Sequence, residues 1–241
     1  HHMPLAVMWP RGLREPGRRE PAYVSFVDIA PTVLEVAGAD PLAGGMEPLP
    51  GGSLVPLLRN TPDPCAELRE RALLGRERHD TGRPGDQGYP IRGIVRDGWL
   101  YLCNLKPWLL PGGNPETGYR DIDSSPTKTA ILQLKRSGMD SRYYELSMGL
   151  RPAEELYHVE TDRECLANRI DDVSCRALAD SLRAELFRTL REQDDPRMTD
   201  DGDVFDRYPY DKPGKERIYE RTVSGEIIPW KHSNWLPTDY E

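Results

Sequence analysis

The sequence predicts an α+β fold: a small antiparallel sheet with one long helix packed on it, set among long loops. Three observations predict it. Asp97-Gly98 separates two apolar segments, Ile91 to Val95 and Trp99 to Asn104, which is the pattern of a β-hairpin. Leu178, Leu182, Leu186 and Leu190 recur every four residues, the stripe of an amphipathic helix. The 241 residues include 21 Gly and 23 Pro but only 37% hydrophobic residues, so much of the chain is loop. With a mean hydropathy of -0.67, the chain has either a modest core or an apolar face completed by other polypeptide, and the second reading is adopted.

In chain order, Pro4-Leu5-Ala6-Val7-Met8-Trp9-Pro10 reads as a buried strand whose sheet neighbours lie elsewhere. Phe26, Ile29, Val33 and Val36 have helical spacing, with Pro31 acceptable only in a first turn, Asp28 or Ala30 near the start and Gly38 as the stop. Residues 39–52 are a Gly/Pro loop, and 53–59 a short helical turn. Arg71 to His79 reads as a strand entering a polar loop. After the hairpin comes an excursion to about Ser125, then a helix over 126–137. Glu155 to Val159 is a further strand, and Ser174 is the expected N-cap of the leucine-striped helix, spanning about 175–192. Beyond Pro196 the chain is a polar tail dotted with aromatics, expected to wrap over a surface.

Composition excludes several classes of function. The net charge is -8, from 40 acidic and 32 basic residues, where a nucleic-acid binder would carry a basic excess. The acidic runs Asp194-Asp195 and Asp200-Asp201-Gly202-Asp203 read as solvated surface, or more weakly as a cation site. No stretch approaches the roughly 20 apolar residues of a membrane span. Cys65, Cys103, Cys165 and Cys175 form no C-x-x-C pair, which argues against zinc. Cys165 and Cys175 could bridge a short loop or remain free thiols, so the compartment is not legible. His1-His2-Met3 fits a purification-tag remnant or native sequence equally well.

Four segments carry a resemblance. Pro4 to Pro10 is similar to P-L-x-V-x-W-P, and Val27 to Gly38 to V-D-I-x-P-T-L-L-E-L-A-G. Gly52-Ser53-Leu54-Val55-Pro56-Leu57-Leu58 is similar to G-x-S-L-x-P-L-L. Glu155-Leu156-Tyr157-His158-Val159 through Asn168 is similar to E-L-Y-D-L-x-x-D-P-x-E-x-x-N. In this order they resemble the C-terminal part of a sulfatase of the alkaline-phosphatase-like superfamily. Gly75 to His79, Gly88 to Arg92 and Gly118 to Lys128 resemble the branch of heparan N-sulfatase (N-sulfoglucosamine sulfohydrolase). The resemblance implies that residues 1–60 end the catalytic α/β domain, that 61–196 form the C-terminal sulfatase subdomain, and that 197–241 are its tail. It also implies a sulfated saccharide substrate, a missing N-terminal catalytic half and a periplasmic or secreted whole protein.

Sulfatase chemistry needs an activated oxygen nucleophile and a cation that polarises the sulfate. The resemblance implies a formylglycine and calcium, with both the nucleophile and the Asp/Asn metal ligands upstream of Pro4. No catalytic or metal-ligating residue is therefore assigned in this chain, which is expected to be inactive alone. Cys165-Leu166-Ala167-Asn168-Arg169 fits the nucleophile pattern C-x-A-x-R, but it overlaps the late Glu-Leu-Tyr segment and lacks the Leu-Thr-Gly that follows a true nucleophile. It reads as coincidence.

The substrate-binding candidates lie on the loop after the 71–79 strand, which the resemblance places near the substrate. His79 leads, with Arg78, Asp80 and Arg92: a guanidinium pairs with sulfate or uronate, and a carboxylate accepts from sugar hydroxyls. Asp121, Asp123 and Lys128 are weaker candidates. Trp99, Tyr101, Trp108 and Tyr119 could stack on sugars, although packing suits them better. The rival readings are a phosphodiesterase or phosphonate hydrolase of the same superfamily, and a non-catalytic carbohydrate-binding module.

Overall fold

The computed structural model of the chain describes residues 3–199, 202–210 and 213–228. Asp200, Asp201 and the tail beyond 228 lie outside them. Among the described residues, β1 (Arg71–Arg76), β2 (Ile91–Arg96), β3 (Trp99–Asn104) and β4 (Glu154–His158) form one antiparallel sheet in the order β1-β2-β3-β4. Asp97 (φ 51°) and Gly98 (φ 73°) both take the left-handed conformation that a two-residue primed turn demands, which closes the β2–β3 hairpin. In the β3–β4 pair Trp99 lies opposite His158, and Cys103 opposite Glu154. Leu100, Tyr101, Leu156 and Tyr157 are all buried, so both faces of this pair are covered.

The cover on one face is α5 (Arg176–Glu192), which packs against β3. Leu182, Leu186 and Leu190 are buried as the stripe requires, while Leu178 in the first turn is half-buried. Ser174 is not the cap. Asp172 instead accepts from the Ser174 backbone N–H at 2.9 Å and starts a 3-10 turn, Val173–Cys175, that leads into the helix. The Ser174 hydroxyl itself donates to the Asp172 carboxylate at 2.6 Å, which draws it away from the helix N–H groups. The helix is pinned to the sheet by Arg183, whose Nε and Nη2 donate to the two oxygens of Glu154 at 2.5 and 2.6 Å. Tyr101 donates its hydroxyl proton to the same carboxylate.

A second, smaller cluster joins α3 (Pro126–Arg136) to α4 (Arg142–Ser147), with Tyr119, Leu132, Tyr144 and Met148 buried together. Pro126 is the first residue of α3, and Ser125 Oγ caps it by accepting from Lys128 N at 3.1 Å.

By their contacts, His1–Leu73 with Val95–Asp97 make one compact unit, and Leu74–Ile94 with Gly98–Glu241 another. In the first unit, α1 (Ile29–Ala37) follows a 3-10 turn over Phe26–Asp28 and ends at Gly38 in the left-handed conformation. Pro31 falls in its first turn, where the missing N–H costs nothing. Asp28 is buried: it accepts from Ser25 N and Gly52 N at 2.8 and 2.9 Å and pairs with Arg69 at 3.0 Å. That network holds the loop leading to α2 (Val55–Arg59). No residue of α1 is buried, and Val33 is 60% exposed. Pro4 to Trp9, expected as a strand, is in no ladder here, and Leu5, Val7 and Met8 are exposed.

The described part of the tail carries α6 (Val204–Arg207) and α7 (Ile218–Val223), with Ile218 fully buried. No helix among the described residues is long and apolar enough to cross a membrane.

Candidate functional site

β1 delivers Glu77, Arg78 and His79 to a loop whose interior is polar. Arg83 is completely buried there, pairs with buried Asp121 at 2.5 Å, and donates to the carbonyls of Leu110 and Pro111. Burial pulls the Arg83 pKa below its ordinary value, and Asp121 opposes that pull. The loop is therefore anchored from inside, and its outer residues hang on a fixed frame.

The candidates on this frame fall into two groups. His79 is exposed at the rim. Arg78 is half-buried; it donates to the Asp86 carbonyl at 3.4 Å and the Tyr208 carbonyl at 2.6 Å, and its guanidinium lies 5.6 Å from the Tyr210 ring centre. Asp80 accepts from Thr81 N at 2.7 Å and pairs with Arg120 at 2.9 Å. These three share the rim. Arg92 does not: its side chain is 8% exposed, held by Asp195 at 2.5 and 3.0 Å and by Glu77 at 2.7 Å. Burial alone would lower the Arg92 pKa, but the two carboxylates raise it, which marks a cation committed to the fold.

Among the weaker candidates, Asp121 and Lys128 are turned inward and Asp123 is exposed. Lys128 is buried with its Nζ donating to the carbonyls of Gly118, Tyr119 and Ile122 at 2.6, 3.2 and 2.9 Å. Tyr101 and Tyr119 are core residues and Trp99 packs edge-on against His158, whereas Trp108 is 67% exposed. In the C-x-A-x-R segment, Asp162 accepts from Leu166 N and Ala167 N, and Asn168 Oδ1 accepts from Leu156 N. Arg169 is paired with Asp172 at 2.5 Å, and burial raises the Cys165 thiol pKa. The motif closes the turn after β4.

What sequence reading missed is the part of the tail that borders this loop. Asp206 accepts from Gly88 N at 2.8 Å and pairs with Lys106 at 2.7 Å. Glu220 accepts from Gly85 N at 2.8 Å, and Asp86 from Arg217 N at 2.7 Å. These partners are a hundred or more residues apart, and only the aromatic dotting of the tail hinted at a role. Among the described residues no group of three or more His, Cys, Asp or Glu side chains could hold a metal ion.

With this geometry in place, the chain can be compared with known proteins. No protein-family model matches it. It is 27% identical over 192 residues, 78% of its length, to an ulvan-active sulfatase of Formosa agariphila. The sequence is sulfatase-like. The sulfatase-like chain spans 28% of the length of that relative. Among solved structures it is similar to a 2-O GAG sulfatase at 16% identity and a TM-score of 0.46, covering 86% of this chain and 35% of that one. It is also similar to a protein solved with its substrate D-glucosamine-2-N,6-O-disulfate, at 19% identity and a TM-score of 0.40, covering 70% and 24%.

Proposed function

We propose that this chain is the C-terminal portion of a sulfatase that hydrolyses sulfate esters or sulfamates of sulfated saccharides. In this reading it contributes substrate-binding loops, while the nucleophile and the calcium site belong to an N-terminal half outside it. The observation that carries the reading is the identity to the ulvan-active sulfatase over 192 residues. The rim fits the role: His79 is exposed to donate a hydrogen bond to a sulfate oxygen or a sugar hydroxyl, and Arg78 and Asp80 stand on either side of it in sequence. The bare apolar residues of α1 fit a piece whose surface other polypeptide covers, because a helix this apolar is ordinarily buried.

The test is expression of the intact gene product with a formylglycine-generating enzyme, followed by ion chromatography of reactions with sulfated saccharides. Sulfate release that is lost on chelation supports the reading. Release of phosphate from phosphodiesters, with none of sulfate, overturns it in favour of the phosphodiesterase branch. A narrower assignment to N-sulfate cleavage rests on the Gly75–His79, Gly88–Arg92 and Gly118–Lys128 motifs. It requires N-sulfated glucosamine to be turned over faster than its 6-O-sulfated isomer.

A further inference from the structure

Among the described residues of the second unit, Tyr89, Tyr101, Tyr119, Tyr144 and Tyr157 are buried. Tyr143 is 50% exposed, and the two most exposed aromatic side chains of this unit are Trp108 at 67% and Tyr208 at 56%. These two come from segments a hundred residues apart, yet one ion pair brings those segments together. Lys106 Nζ lies 2.7 Å from Asp206 Oδ2, and Asp206 Oδ1 accepts from Gly88 N at 2.8 Å. Trp108 follows Lys106 by two residues and Tyr208 follows Asp206 by two, and two residues of chain span at most about 7 Å. Each ring thus lies on the stretch of chain within two residues of that ion pair.

Arg78 borders the same stretch. Its Nη2 donates 2.6 Å to the carbonyl of Tyr208 itself. The hydrogen bonds of its guanidinium go to the backbone carbonyls of Asp86 and Tyr208, and it is in ion-pair contact with no carboxylate among the described residues. The neighbouring cations differ. Lys106, Arg92, Arg120 and Arg197 are each paired with Asp or Glu, so their charge is already answered. The rim thus combines two exposed aromatic side chains with a guanidinium that hydrogen-bonds to backbone carbonyls and lies close enough to Asp86 to act on its carboxyl. Aromatic faces take the C–H side of a pyranose ring, and a guanidinium pairs with a sulfate or carboxylate substituent on it.

We infer that Trp108, Tyr208 and Arg78 form a binding surface for an anionic saccharide, and that the tail completes it by bringing Tyr208 to the loop. The inference rests on the sulfatase reading for the identity of the sugar's anionic group. It assigns to the tail a part in substrate choice, which the motif pattern around His79 does not contain.

The test is isothermal titration of the intact gene product, expressed without the formylglycine-generating enzyme, with an N- and 6-O-sulfated glucosamine oligosaccharide and its desulfated counterpart. Tyr208→Ala and Trp108→Ala should each weaken binding of the sulfated probe by about tenfold, the loss expected when an aromatic anchor is truncated. Both should leave the melting temperature unchanged, since both side chains are exposed. Arg78→Gln should reduce the preference for the sulfated probe over the desulfated one. If both aromatic variants bind as tightly as the wild type, or if neither probe binds the wild type, the inference is wrong. Sulfate release by the matured protein is measured separately. Binding that depends on Tyr208 without any sulfate release upholds the surface and removes the sulfatase reading. Sulfate release with binding that ignores Tyr208 does the reverse.

Discussion

His79, Arg92 and Cys165, each singled out by the sequence, have three different fates. His79 is exposed, so replacing it removes no packing. In the intact enzyme His79→Ala should lower kcat/KM on the best sulfated saccharide about ten- to a hundredfold, the equivalent of one hydrogen bond to a charged partner. Thermal melting should be unchanged, and a large loss of stability would instead make His79 a structural residue. Arg92 is the opposite case. Arg92→Ala strands the Asp195 carboxylate, while Glu77 keeps Arg197, and should cost about 3–5 kcal/mol in urea unfolding, as breaking a buried pair does. Cys165 is the third: Cys165→Ala should leave any sulfate release by the intact enzyme untouched. Both His79 and Arg92 looked like rim residues from their neighbours in sequence. What separated them was that Arg92 lies on β2 while Asp195 lies just beyond α5, a partnership with no local signal.

At the scale of elements, the strands and the long helix were legible because each satisfies a local rule: a primed turn at Asp97-Gly98 and a leucine stripe on α5. The stripe also grades its own members. Leu186→Ala empties a fully buried site and should cost about 2–5 kcal/mol, whereas Leu178→Ala at the half-buried first turn should cost less. Chemical denaturation of the two variants gives the comparison, and equal losses would mean that the helix does not seat as described. α4 was not legible. Six residues make a helix too short to persist alone, and Arg142–Ser147 is held by packing Tyr144 and Met148 against Tyr119 and Leu132. α6 and α7 escaped for the same reason, with Ile218 buried only because α7 packs onto the turns at Pro84–Asp86 and Pro115–Thr117.

At the scale of the molecule, acid sensitivity follows from the carboxylates that hold distant segments. Burial pushes the pKa of Asp195 up, but hydrogen bonds from Arg92 and Arg197 N more than offset this and hold it below 3.8. Glu154 is likewise held below 4.5 by Arg183, against the effect of burial. A carboxyl whose folded pKa is depressed contributes stability that is complete above its unfolded pKa. That stability is lost as pH falls through the folded value. The melting temperature should therefore drop as pH falls below about 4, the ordinary carboxylate range. Asp195→Asn should have a lower melting temperature at neutral pH and a flatter acid limb. An acid limb as steep as that of the wild type would show that Asp195 is not part of the transition.

The sequence by itself determined the α+β class, the hairpin, the helix stripe and the order of motifs that resemble a sulfatase. Each of these is written in a few neighbouring residues. Only the tertiary structure decided which charges are spent and which are open. Arg92 and Lys128 are enclosed by partners, while Arg78 and His79 are left at the rim. It also decided that the tail borders the loop, through Asp206 on Gly88 and Glu220 on Gly85. The physical reason is range. Turn geometry and helical periodicity act over a few residues, whereas desolvation and ion pairing depend on what the fold brings alongside, however far away it lies in the chain.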